Sequence, residues 1–124
     1  MRVLPILCAA LSAAALGAPA SAAEDDPVRG EKLYERCGGC HSIERDRVGP
    51  RHQGLFGRRA GGVPGFAYSE AMKQSGIVWD TATLDRFLAG PRALVPGTRM
   101  GFAGIADAKE RADLIAYLKR ATGG

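Results

Sequence analysis

Cys37-Gly38-Gly39-Cys40-His41 places two thiols about one helical turn apart and an imidazole directly after the second. This C-x-x-C-H pattern is the attachment sequence of a c-type haem. Each thiol can add to one vinyl group of a haem, and the imidazole that follows then faces the iron. No other stretch of the chain constrains the chemistry so tightly. Two competing readings use the same cysteines. In an oxidising compartment the pair could cycle as a disulfide. A zinc site needs more ligands than two Cys and one or two His readily give. The histidine immediately after the second cysteine favours haem.

Upstream, residues 1–22 read as a signal peptide. Met1-Arg2 is a short positive start, Val3 to Ala18 is apolar and rich in Ala and Leu, and Ala20-Ser21-Ala22 fits the pattern before a signal-peptidase cut. The run is too short and too alanine-rich for a comfortable membrane span. Cys8 sits too early in it for lipid attachment and is expected to be discarded with it. Residues 23–124 then form one domain, expected in the periplasm. A domain that small makes a marginal core. The chain's 17 glycines raise the entropy cost of ordering it. A buried haem would supply the missing apolar volume.

Lys and Arg total 17 against 13 Asp and Glu, a net charge of +4. From Arg47 to Arg59 there are four Arg and no acid, while Glu24-Asp25-Asp26 gathers acids ahead of the domain. A basic face would dock an acidic partner and speed encounter. No regular comb of basic residues with interleaved aromatics appears, so nucleic acid is not expected.

The domain reads as all-α and loop-rich. Asp26-Pro27 starts a helix as N-cap and first-turn Pro, running to about Cys40. His41 to Phe66 contains eight Gly or Pro and little periodicity. A loop that long is expected to wrap something. Ser69 caps a short helix stopping at Gly76; Asp80 caps Thr81 to Ala89, closed by Gly90-Pro91. A second loop spans Pro91 to Ala106. Asp107 and Glu110 form a capping box for a last helix to about Arg120, with Leu114, Ile115 and Leu118 on one side.

A haem that only transfers electrons needs a sixth ligand opposite His41. The soft or imidazole donors left are Met72, Met100 and His52. Met100 lies in a loop stiffened by Pro91, Pro96 and Gly97, and is the expected ligand; a thioether there raises the potential. Met72 falls in a helical stretch, where methionine is usually core filler. His52 reads as a loop histidine.

Taken with Gly49-Pro50, Gly54-Leu55-Phe56-Gly57-Arg58, Pro64-Gly65-Phe66-Ala67-Tyr68, Trp79, Pro96-Gly97-Thr98-Arg99-Met100, Phe102-Ala103-Gly104-Ile105 and Asp113-Leu114-Ile115-Ala116-Tyr117-Leu118, the chain resembles the class I cytochromes c, both mitochondrial and soluble bacterial. The resemblance runs from about Val28 to Thr122. It implies a fold wrapped around one covalent haem c, with the first and last helices crossing. It implies that the Pro50 carbonyl accepts the His41 Nδ1 proton, and that Arg58, Tyr68 and Trp79 donate to a buried propionate. Gly30 and Tyr117 would meet at the helix crossing, near Tyr34 and Leu114. Leu55, Leu88, Leu118 and Phe102 would line the pocket. Three positions depart from the mitochondrial pattern: Phe87 for Tyr, Met72 for Asn, and His52 for a pocket Leu. A buried His52 would tune the redox state near neutral pH.

The function the resemblance implies is a soluble one-electron carrier rather than an enzyme. It would serve a membrane complex of the bc1 type and a terminal oxidase or reductase, touching the membrane only through such complexes. A monomer is expected. Arg36, Arg92 and Arg99 would ring the exposed haem edge. The alternatives are a haem subunit of a dehydrogenase complex, or a haem peroxidase or gas sensor with a labile sixth site.

Overall fold

The computed structural model describes residues 24–124 and the isolated positions 14 and 17. Those two positions apart, the signal peptide expected over residues 1–22 and its cut fall on residues outside those described. Among the described residues five α-helices follow in order: α1 Pro27–Tyr34, α2 Glu70–Lys73, α3 Thr81–Ala89, α4 Pro91–Leu94 and α5 Ala108–Thr122. Among the described residues there is no strand, only one antiparallel bridge between Arg59 and Val78. No described helix is long and apolar enough to cross a membrane.

α1 and α5 share the most extensive helix contact. The Asp26 carboxylate accepts from the Val28 amide at 2.9 Å and the Arg29 amide at 3.2 Å, so the cap and Pro27 start α1 as the sequence suggests. α1 ends at Tyr34 and tightens into a 3-10 turn over Glu35–Cys37, which hands the chain to the C-x-x-C-H segment. The expected continuous helix to Cys40 is therefore broken, because the Cys40 and His41 amides both turn back to the Cys37 carbonyl, at 3.1 and 2.9 Å.

At the crossing, a Cβ on Gly30 would run into the Asp113 carbonyl oxygen and lie 2.8 Å from the Tyr117 Cβ. Only glycine lets the helices close. Beside it the Asp113 side chain is fully buried. Its carboxylate pairs with Arg29 at 2.6 Å and Lys109 at 2.8 Å and accepts from the Asp26 amide at 2.7 Å. Burial opposes its ionisation, but Lys109, the Asp26 amide and Arg29 outweigh that and hold it below the usual carboxylate range. This cluster ties the start of α1 to the middle of α5.

Three further expectations are corrected. Residues 91–94 form α4 inside the supposed loop, because Pro91 suits a first helical turn. α2 stops at Lys73 rather than running to Gly76. The Asp107 cap accepts from the Glu110 amide, but Glu110 turns its own carboxylate to Arg36 at 3.6 Å, so only half of the box forms. The box that closes fully is at α3, between Asp80 and Thr83. The core gathers Leu33, Leu55, Trp79, Leu84, Phe87, Leu88, Ile105, Leu114, Ile115 and Leu118.

Candidate haem site

The long segment after His41 folds back on the C-x-x-C-H turn. The Gly49 amide donates to the Cys40 carbonyl at 2.8 Å, and the His52 amide to the Ser42 carbonyl at 3.1 Å. Arg47 reaches over and donates to the Gly38 carbonyl at 2.5 Å and the His41 carbonyl at 3.3 Å. The two cysteines and His41 are thus held as one rigid turn.

That turn forms one wall of a cavity of about 610 Å³. Cys37, Cys40, His41, Pro50, Tyr68, Met72, Met100 and Phe102 all line it, with Arg36 and Arg99 among its other wall residues. Its volume is in the range of ligand and cofactor pockets. A second hollow of about 670 Å³, between α1 and the start of α5, is lined mostly by charged side chains and holds no thiol, thioether or imidazole.

His41 Nδ1 donates to the Pro50 carbonyl at 2.7 Å. With the proton there, Nε2 keeps its lone pair for a metal. Burial lowers the pKa of His41, outweighing the Pro50 bond, so the ring stays neutral. Gly49 makes the seat possible: a Cβ there would meet the ring within 2.6 Å of Nε2 and 2.7 Å of Nδ1. Burial pushes the Cys37 thiol up, which disfavours the thiolate that a redox dithiol needs.

The propionate partners divide. Tyr68 lines the cavity, its hydroxyl accepting from the Val63 amide at 3.0 Å. Arg58 and Trp79 are not on the cavity wall. Arg58 donates to the Gln53 and Arg51 carbonyls at 2.8 and 3.0 Å, and its Nε is buried with no partner. Trp79 packs on Phe87 with ring centroids 4.9 Å apart. The two share a strand-like pairing: the Trp79 amide donates to the Arg58 carbonyl at 2.9 Å. Leu55, Leu88 and Leu118 belong to the buried core cluster against which Phe102, Met100 and Tyr68 of the wall pack.

The residues fit a haem. The wall is largely apolar, and the thiols, the imidazole and the Met100 thioether are all on it.

The cytochrome c family model matches residues 27–122, nearly all of the described chain. The chain belongs to the cytochrome c family. It is 44% identical over 116 residues to cytochrome c2 of Rhodomicrobium vannielii, covering 91% of this chain and 93% of that one. It is 50% identical over 97 residues to cytochrome c of Euglena viridis, covering 76% of this chain and 95% of the relative. The solved cytochrome cH from Methylobacterium extorquens matches with a TM-score of 0.75 and 48% identity, covering 77% of this chain and 98% of that one. As a family member the chain carries covalent haem c, with Cys37 and Cys40 spaced for attachment. Cytochromes c are electron carriers, and that general role is this chain's too.

Sequence reasoning missed some parts of this cytochrome site. Arg47, part of the basic run, braces the haem-binding turn. Arg51 pairs with Asp46 at 3.3 Å, and Arg58 is spent on carbonyls, so the basic run is largely structural. Val48 and Thr98 also line the cavity, with no signal of their own beyond flanking Gly49 and Arg99. Burial, His41 and Arg58 push the pKa of His52 down to about 3, which removes the expected tuning by protonation.

Proposed function

We propose that this chain is a periplasmic, soluble one-electron carrier with a haem held between His41 and Met100. It takes electrons from a membrane complex of the bc1 type and delivers them to a terminal oxidase or reductase. The observation that carries the reading is the shared cavity: the C-x-x-C-H turn and the Met100 thioether both line it. When bound, the haem supplies an iron that changes oxidation state by one electron.

The chain's own residues do the rest. Cys37 and Cys40 hold the cofactor, and Pro50 fixes the tautomer of His41. Met100 supplies a soft donor that favours the reduced state and closes the site to peroxide and gases. The loop bearing Met100 is held in place by the Arg99 guanidinium, which donates to the Ala67 carbonyl at 3.2 Å. Arg36 and Arg99 sit on the cavity wall with their side chains in water, where rim charge sets association rate. Tyr68, Arg58 and Trp79 are the proposed propionate partners.

Met100→Ala tests the assignment. The oxidised protein should show the weak red-end band of thioether-to-iron ligation, and the variant should lose it, with a lower potential and faster azide binding. Absence of the band from the native protein would favour a peroxidase or sensor with an open site. Co-purification with a larger enzyme would favour a dehydrogenase subunit. Electron-transfer rates that do not respond to salt would count against the arginine rim.

A further inference from the structure

His52 stacks on the proximal ligand. Its ring centroid lies 4.3 Å from that of His41, with the planes 21° apart. Tyr34, at the end of α1, holds it there: the Tyr34 hydroxyl and His52 Nδ1 are 2.9 Å apart, and the rings meet edge to face at 5.6 Å. Tyr34 is itself wedged against Tyr117 of α5, at 5.3 Å between centroids. The His52 backbone is tied on both sides, donating to the Ser42 carbonyl at 3.1 Å and accepting from the Leu55 amide at 2.9 Å. Little freedom is left to the ring.

An aliphatic side chain would fill this space without desolvating polar nitrogen. The polar ring must be satisfied by Tyr34, so the pair is a built arrangement rather than simple filler. Its geometry has an electronic consequence. Oxidation of the iron places part of the added positive charge on the His41 imidazole. A neutral aromatic face lying against that ring attracts positive charge. A hydroxyl bonded at the edge of His52 keeps the face, not the edge, toward His41.

We propose that Tyr34 and His52 form a positioning pair that presses a flat imidazole against the proximal ligand and biases the haem toward its oxidised state. The proposal rests on the reading of His41 as an iron ligand. Neither Tyr34 nor His52 is among the cavity-lining residues, so they act through His41.

The test uses the full holoprotein and three variants. His52→Leu keeps volume but removes the aromatic face. His52→Gln keeps an acceptor for Tyr34 but no ring. Tyr34→Phe keeps the packing but frees the ring. Potentiometric titration should show a three- to tenfold shift of the one-electron equilibrium toward the reduced form in His52→Leu, roughly 30–60 mV upward at 59 mV per tenfold. His52→Gln should move with His52→Leu. Tyr34→Phe should shift the potential less, in the same direction. The hyperfine-shifted haem signals of the oxidised protein, which report the orientation of the His41 ring, should change in all three.

Unchanged potentials in folded His52→Leu and His52→Gln would overturn the proposal, as would a downward shift. If His52→Gln matched the native protein, the hydrogen bond alone would matter and the stacked face would not. Failure of the underlying reading is distinguishable, because the native protein would then lack the low-spin spectrum of an imidazole-ligated haem.

Discussion

Gly30→Ala should unfold this protein earlier, although alanine is the better helix former. The new Cβ would overlap the Asp113 carbonyl oxygen, lie 2.6 Å from the carbonyl carbon, and lie 2.8 Å from the Tyr117 Cβ. All three atoms belong to or anchor on α5 backbone, so no rotamer change relieves the contact. Reaching ordinary contact at 3.4 Å means opening the α1–α5 crossing by roughly 0.8 Å at the carbonyl carbon alone. Overpacking of this kind costs about 1–3 kcal/mol or more, here toward the high end because both sides are rigid. The Arg29–Asp113 pair, one residue away and 2.6 Å long, would be stretched too. Alanine returns about 1 kcal/mol through helix propensity. The net loss is about 2 kcal/mol, or roughly 8–16 °C in Tm for a domain of this size. Thermal denaturation of the oxidised holoprotein by circular dichroism measures it. Gly39→Ala is the control, since a Cβ there meets nothing within 4 Å. A Gly30→Ala variant that melts at or above the native temperature, or no lower than Gly39→Ala, refutes the argument.

Two other outcomes follow from the titratable groups Asp113 and His52. Asp113→Asn should lower stability by about 2 kcal/mol, because charge-assisted bonds to Arg29 and Lys109 are lost while both cations can still turn to water. The depressed Asp113 carboxyl contributes fully above the ordinary Asp pKa, and that contribution drains as pH falls through the lower folded-state value. Acid unfolding should therefore begin at higher pH in native protein than the remaining slope of Asp113→Asn implies, and equal acid slopes would count against the cluster. His52 works through the same linkage at milder pH. Folding depresses its pKa from 6.5 to about 3, so its neutral form stabilises fully above 6.5 and the benefit is lost as pH falls toward 3. Between pH 7 and 5 the native protein should lose up to about 2 kcal/mol more than His52→Leu, at about 1.4 kcal/mol per pH unit. Urea midpoints at the two pH values measure this, and parallel losses would show that His52 titrates normally.

Much of the fold was legible because its signals are local. Asp26-Pro27, Asp80 and Asp107 each cap a helix through side-chain bonds spanning two or three residues, and α3 has the limits its caps imply. α4 was hidden because four residues have no periodicity to read; only the Pro at its start marks it. The half-formed box at Asp107 shows a different limit. Glu110 had a local partner available, and a distant one, Arg36, took it.

The C-x-x-C-H segment determined the cofactor by itself, because attachment chemistry depends on thiols and imidazole at fixed spacing along one turn. It also implied that a second donor must come from elsewhere, and the short supply of such donors makes Met100 the proposed one. Tertiary structure decided everything that depends on two distant segments meeting. It spent three of the four arginines of the basic run, Arg47, Arg51 and Arg58, on loop carbonyls and on Asp46. It packed Trp79, Leu55, Leu88 and Leu118 into one core cluster with Met72, since sequence order says nothing about which side chains the folded loop brings together. It set His52 against His41 and tied it to Tyr34, three residues from separate stretches of the chain whose meeting follows only from the path of the loop around α1.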